Sequence, residues 1–157
     1  MATAIFPGTF DPVTLGHVDL VRRGRALFPK VIVAVGVRGD KTTLFSSQER
    51  VALFADAVAD LDGVAVLPFT GLIVDFARAQ GATVLLRGVR NPSDVEYEAQ
   101  MAHTNRRLAP GLETVLLVPT LETGFISSTL IKEIVKAGGA AAAFVPENVA
   151  SALRGKC

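Results

Sequence analysis

Five short runs that are apolar throughout, separated by segments with helical spacing, constrain the fold of this 157-residue chain more than any other feature. Ala4 to Phe6, Val31 to Val37, Val64 to Phe69, Thr83 to Leu86 and Val115 to Val118 read as strands. Their residues do not alternate between apolar and polar, which is the pattern of strands covered by helices on both faces and therefore of a parallel sheet. Between them, Leu20, Gly24, Leu27 and Phe28 form one helical stripe. Val51, Phe54, Ala55, Val58 and Leu61 form another behind a Ser46-x-x-Glu49 capping box, and Leu72, Ile73, Phe76 and Ala77 form a third. Terminal helices are expected from about Ser128 to Ala137 and from Pro146 to Arg154, the second opened by a proline suited to a first helical position. The expectation is one α/β domain over residues 1–157, with a five-stranded parallel sheet, helices on both faces and C-terminal helices.

With right-handed crossovers, every loop that follows a strand lies at one edge of such a sheet and every loop that precedes a strand lies at the other. The preceding loops are brief and chemically bland: Pro29-Lys30, Asp62-Gly63, Gly81-Ala82 and Pro110-Gly111. The following loops carry Thr9 and His17, then Arg38 and Lys41, then Arg87 and Arg90, then Thr123 and Ser127 to Thr129. Open sheets of this Rossmann-like kind bind ligands outside the carboxyl ends of their strands, near the point where the strand order reverses. Cations at that edge suit a polyphosphate, since Arg offers a planar donor fork and Lys a compact charge.

Sixteen basic residues against fifteen acidic ones leave a net charge of +1, which argues against a nucleic-acid partner held through phosphates. No apolar run is long enough to span a bilayer, and Met1-Ala2-Thr3-Ala4 leads into a strand without a basic leader, so no membrane association and a cytoplasmic location are expected. The only cysteine is Cys157, which excludes an intramolecular disulfide and a thiolate metal cluster. The acidic residues near the strand-end loops form no metal cluster either, and no metal-ligating residue is expected.

The segment Pro7-Gly8-Thr9-Phe10-Asp11-Pro12-Val13-Thr14-Leu15-Gly16-His17 stops regular structure after the first strand and puts a histidine at a helix start, where unpaired N–H groups can bind an anion. The turn Thr123-Gly124-Phe125-Ile126-Ser127-Ser128-Thr129 supplies hydroxyls and N–H groups at a second helix start. Neither a GxxxxGK(S/T) loop nor a GxGxxG after the first strand is present, so the phosphates must be held in another way.

The first segment resembles the (H/T)xGH signature of the nucleotidylyltransferase superfamily, and the longer string PGTFDPVTxGH resembles its phosphopantetheine adenylyltransferases. Four further motifs follow in that family's order: Lys41 ahead of Leu44-Phe45 and Glu49-Arg50, Arg87-Gly88-Val89-Arg90, Asp94-Val95-Glu96-Tyr97-Glu98, and Phe125-Ile126-Ser127-Ser128-Thr129. The resemblance implies transfer of the adenylyl group of ATP to 4'-phosphopantetheine, giving 3'-dephospho-CoA and pyrophosphate, with magnesium carried on the phosphates. It also implies a homohexamer and feedback by coenzyme A. Carried over residue by residue, it makes His17, Lys41 and Arg90 catalytic, and assigns Thr9, Lys41, Ile73 and Arg87 to the acceptor. To ATP it assigns Thr9, Phe10, His17, Gly88, Val89, Arg90, Glu98, Thr123, Gly124, Phe125, Ile126, Ser127, Ser128 and Thr129.

Each role has a plainer competitor. His17 also fits a helix cap, Glu98 a partner for a neighbouring arginine, Lys41 and Arg87 solvated loop charges, Ile73 a core residue, and the serine turn a simple cap. His103, away from the strand-end loops, reads as structural. Thr123 stands where relatives often carry an aromatic residue, and Thr129 replaces a serine while keeping its hydroxyl. Two other functions share much of the pattern: a nicotinamide or nicotinate mononucleotide adenylyltransferase, disfavoured by the xFISST and DxEYE strings, and a nucleotide-binding sensor in which His17 is dispensable.

Overall fold

Each of the five apolar runs is a strand in the computed structural model, which describes residues 1–37 and 42–156. They are β1 (Thr3–Gly8), β2 (Lys30–Gly36), β3 (Val64–Phe69), β4 (Val84–Gly88) and β5 (Glu113–Leu117). The sheet order is β3-β2-β1-β4-β5, and every neighbouring pair is parallel. The chain steps outward from β1 to β3, then crosses back to β4, so the order reverses between β1 and β4.

Alternate strand residues feed two cores. Ala4, Phe6, Val31, Val33, Val35, Val84 and Leu86 face one side, packed against α1 (Leu15–Leu27), α2 (Ser47–Ala57), α5 (Ser128–Lys136) and α6 (Glu147–Lys156). Ile5, Ile32, Ala34 and Leu85 face the other, where α3 (Ile73–Ala79) contributes Val74 and Ala77 and Leu112 follows α4 (Pro92–Leu108). Both faces are thus covered, as the unbroken apolar runs require. Gly24 lets α1 lie close on the sheet, since a Cβ there would stand 2.6 Å from Leu86 Cδ1.

Some boundaries differ from the sequence expectation. Arg87 and Gly88, expected in a loop, are the last residues of β4 because they stay in register with Leu116 and Leu117 of β5. Pro7 and Gly8 likewise extend β1, opposite Ala34 and Val35. α4 begins at Pro92, ahead of Glu98, because Asn91 caps it by accepting from the Asp94 N–H at 2.9 Å, with proline in the first turn. The Ser46–Glu49 capping box forms as expected: Glu49 N donates to Ser46 Oγ at 3.2 Å, and Ser46 N donates to Glu49 Oε2 at 2.8 Å. α6 starts at Glu147, one residue after Pro146. His103 is exposed on α4. Among the described residues, no helix is long and apolar enough to cross a membrane.

Candidate active site

A cavity of about 440 Å³ opens at the carboxyl ends of β1 and β4, where the strand order reverses. Parallel strands direct their following loops to this edge, so four separate stretches of sequence converge on it. The β1–α1 loop supplies Thr9 and Phe10, the first turn of α1 supplies His17, the end of β4 supplies Arg87 and Gly88, and the segment after it supplies Arg90. α4 supplies Glu98, the turn before α5 supplies Thr123, Ile126 and Ser127, and the start of α5 supplies Ser128 and Thr129.

The imidazole of His17 is fixed before any ligand arrives. Thr14 caps α1, its hydroxyl accepting from His17 N at 3.3 Å, while the Thr14 N–H donates to His17 Nδ1 at 3.0 Å. His17 is therefore a capping residue, the plainer reading of the sequence, but the cap also sets its chemistry. With Nδ1 accepting, the neutral ring carries its proton on Nε2, which stays available as a donor. The Phe10 ring stands edge-on to the imidazole at 4.9 Å and edge-on to Phe54 at 4.8 Å. Burial, and secondly the positive charge of Arg90, push the His17 pKa down from 6.5 to about 4, so the ring is neutral at physiological pH.

The two arginines of the cavity are held by carboxylates on α4. Arg87 donates from Nε and Nη2 to the two oxygens of Glu98 at 2.9 and 2.8 Å, and from Nη1 to Pro7 O at 2.8 Å. Glu98 is buried. Arg90 donates from its backbone N and its Nε to Asp94 Oδ2 at 2.9 and 3.2 Å; burial pushes the Asp94 carboxyl up, but these two hydrogen bonds, with the arginine charges behind them, hold it below its usual range. In each guanidinium further N–H groups remain for a ligand.

The turn before α5 closes the far side. Ser127 caps α5, its hydroxyl accepting from Leu130 N at 3.1 Å, and Ser128 Oγ donates to Pro12 O at 2.8 Å, tying this turn to the β1–α1 loop. Gly16, in the first turn of α1, makes the approach possible, since a Cβ there would lie 3.3 Å from Thr123 O.

Not every residue named from sequence reaches the cavity wall. Val89 is buried, with its N–H donated to Leu117 O at 3.0 Å, and Phe125 is exposed beside Phe144. Gly124 donates its N–H to Thr120 O at 2.8 Å. Ile73 lines an adjoining cavity of about 360 Å³, which shares Gly8, Thr9, Arg87, Tyr97 and Glu98 with the first. Arg38, Lys41 and Cys157 lie outside the described residues.

Two residues given no role by the sequence reading belong here. Asp94 holds Arg90, and its i,i+4 spacing to that arginine was the available signal. Tyr97 lies on the wall of both cavities, one residue before Glu98 in the same string.

The carboxylates do not suit a resident metal ion. Asp94 and Glu98 are spent on the arginines, and Asp11, buried, accepts from Leu44 N, Phe45 N and Lys132 Nζ at 2.8, 2.9 and 3.2 Å. Among the described residues, no group of three or more His, Cys, Asp or Glu side chains could hold a metal ion. What the arrangement offers is a neutral imidazole donor, two fixed guanidinium groups and two helix starts facing one space. That chemistry suits the binding and polarising of phosphates.

Residues 5–134 match the cytidylyltransferase-like family. A phosphopantetheine adenylyltransferase from Methylococcus capsulatus is 53% identical over 154 residues, covering 98% of this chain and 95% of its own length. Another, from Psychromonas ingrahamii, is 48% identical over 153 residues with the same coverage. Among solved structures, a bifunctional NMN adenylyltransferase/ADP ribose pyrophosphatase from Francisella tularensis superposes with a TM-score of 0.75 at 15% identity, covering 98% of this chain and 49% of that one. The chain thus spans about half the length of that protein. A lipopolysaccharide core biosynthesis protein from Thermoplasma volcanium gives a TM-score of 0.54 at 19% identity, covering 76% of this chain and 97% of that one. At these identities the two structural likenesses speak for the fold alone.

Proposed function

The chain belongs to the cytidylyltransferase-like family, among its phosphopantetheine adenylyltransferases, and on that premise we propose that it transfers the adenylyl group of ATP to 4'-phosphopantetheine, giving 3'-dephospho-CoA and pyrophosphate. The observation that carries the choice of acceptor is the near full-length identity to two enzymes of that name, since the fold alone is shared with proteins named for other work.

In the proposed reaction, an oxygen of the acceptor's phosphate attacks the α-phosphorus of ATP. A new P–O bond forms there, the bond from the α-phosphorus to the bridging oxygen breaks, and pyrophosphate leaves in line with that electron pair. The nucleophile is already an anion, so a general base has little to add, and rate comes from alignment and from stabilising charge at the reacting phosphorus. His17, neutral with its proton on Nε2, donates to that charge. Arg90 and the Gly88–Arg90 stretch engage ATP and the 123–129 turn completes the nucleotide side, while Glu98, which the resemblance placed there, instead fixes Arg87 through both of its carboxylate oxygens. Thr9 and Lys41 hold the attacking phosphate, Arg87 contacts the phosphate of the acceptor, and Ile73 lines the space for its pantetheine arm. Two features support the roles among the described residues: convergence of Thr9, His17, Arg87, Gly88 and Arg90 at one strand edge, and the commitment of Nδ1 to the Thr14 N–H.

Magnesium is proposed to arrive as the counter-ion of ATP, bound by phosphate oxygens and water. The proposal extends to a cytoplasmic homohexamer under feedback by coenzyme A. Exposed apolar side chains on and beyond the edge strand β5, Leu116, Val118 and Leu121, leave surface for contact between copies. The decisive assay compares acceptors. Pyrophosphate release from ATP and magnesium should depend on 4'-phosphopantetheine, and release that is absent, or equally fast with nicotinate mononucleotide, would overturn the reading.

A further inference from the structure

We propose that Arg50 is a positioning residue: it turns the Thr9–Phe10 peptide so that the Phe10 N–H faces the phosphates in the cavity. The inference rests on the adenylyl-transfer reading above and adds a residue to which that reading gives no role. Arg50 is fully buried at the start of α2 and forms no part of the cavity wall. Its Nη1 donates to Thr9 O at 2.7 Å and to Gly36 O at 2.9 Å, and its Nε donates to Phe45 O at 3.1 Å. A guanidinium is costly to bury unless its donors are met, and here they are met by carbonyls from three separate segments of the strand-end edge.

Joining the end of β2 to the start of α2 needs only Gly36 and Phe45. The shortest of these hydrogen bonds goes instead to Thr9, across 41 residues of sequence, into the loop that leads to His17 in the first turn of α1. That peptide is trans, and in a trans peptide the C=O and N–H point in opposite directions. Holding the Thr9 carbonyl against Arg50 therefore directs the Phe10 N–H away from Arg50, toward the side on which Gly8 and Thr9 line the cavity. The turn needs outside support. Phe10 has φ of 54°, a left-handed conformation that a residue with a side chain seldom keeps unaided. The next residue, Asp11, is tied from the opposite polarity by the N–H groups of Leu44 and Phe45. A lysine at position 50 cannot reproduce this arrangement, because one ammonium cannot occupy both the Nε and Nη1 positions of the fork.

The test uses the full chain with Arg50→Lys and Arg50→Met. Measured are kcat and KM for both substrates, binding of inorganic triphosphate and of adenosine, and the circular dichroism spectrum. The inference expects a folded variant to lose at least 30-fold in kcat and at least fivefold in triphosphate affinity, with adenosine affinity kept within twofold. Unchanged kcat and triphosphate affinity, or equal losses for triphosphate and adenosine, would overturn it. The parent protein gives an arm that no folding failure can remove: titration with inorganic triphosphate should shift the Phe10 amide resonance, and an unmoved Phe10 amide overturns the inference. If the parent shows no turnover with 4'-phosphopantetheine, the adenylyl-transfer reading fails, and the triphosphate arm still decides the role of Arg50.

Discussion

Glu98 holds Arg87 from one side through two parallel hydrogen bonds of 2.8 and 2.9 Å, so the guanidinium meets any ligand in a fixed plane. The resemblance places Glu98 on the nucleotide, whereas its carboxylate is spent on the arginine assigned to the acceptor. Glu98→Gln should therefore raise KM for 4'-phosphopantetheine by about tenfold, the loss expected for one weakened charged hydrogen bond, and leave KM for ATP within about threefold. Steady-state kinetics with each substrate varied in turn check this. A rise confined to ATP would show that Glu98 touches the nucleotide instead.

His17→Ala removes the Nε2 donor, and with it the acceptor for the Thr14 N–H and the ring packed against Phe10. We expect kcat to fall by about 10²–10³, the range for losing one preorganised donor to developing charge, with KM for ATP changed only a few-fold. Single-turnover pyrophosphate release separates this chemical loss from binding. Unchanged turnover would sink the role.

Folding lowers the His17 pKa from 6.5 to about 4, so between those values the unfolded chain binds a proton that the folded chain does not. The stability contributed by neutral His17 is thus complete above about pH 6.5, falls as pH drops through that window and levels off below about pH 4. Its size is at most about 3 kcal/mol. Denaturant unfolding at pH 7 and pH 4.5 should show a larger loss for the parent than for His17→Asn. The chain has 2 histidines, which makes the imidazole resonances simple to assign, and that of His17 should not titrate near 6.5.

Asp11→Asn should destabilise the protein more than any exposed charge change. The buried carboxylate accepts two backbone N–H groups and Lys132 Nζ, and the amide can accept through only one of its two positions. A loss of about 2–4 kcal/mol is expected, lowering Tm by about 5–12 °C in a chain of this size, as read by calorimetry.

The sheet was legible because burial on both faces leaves a local trace, a run with no polar alternation. The ends of β1 and β4 were not, since Pro7, Gly8, Arg87 and Gly88 join the sheet through backbone register with strands far away in sequence. The cavity was legible as a set of loops, because parallel topology alone sorts the chain's cations to one edge. Arg50 takes no role from the sequence, although it sits in the Glu49-Arg50 pair. It lies four residues before Phe54, on the apolar stripe of α2, and a charge on such a stripe was the one available hint. The carbonyls it satisfies lie up to 41 residues distant, where no local pattern records them. A partner arginine for Glu98 is one of the alternatives the sequence leaves open, but its two hydrogen bonds and its burial arise only in the folded chain.

Gly16 carries a last consequence. A methyl group at this position would sit 3.3 Å from Thr123 O, so the neighbouring carbonyl would have to give way by a few tenths of an ångström. Alanine at position 16 would act as a shim between two jaws, one carrying the imidazole and the other the hydroxyl turn. The gap between those jaws is gauged to a hydrogen atom, and a side chain here would use up its few tenths of an ångström of tolerance.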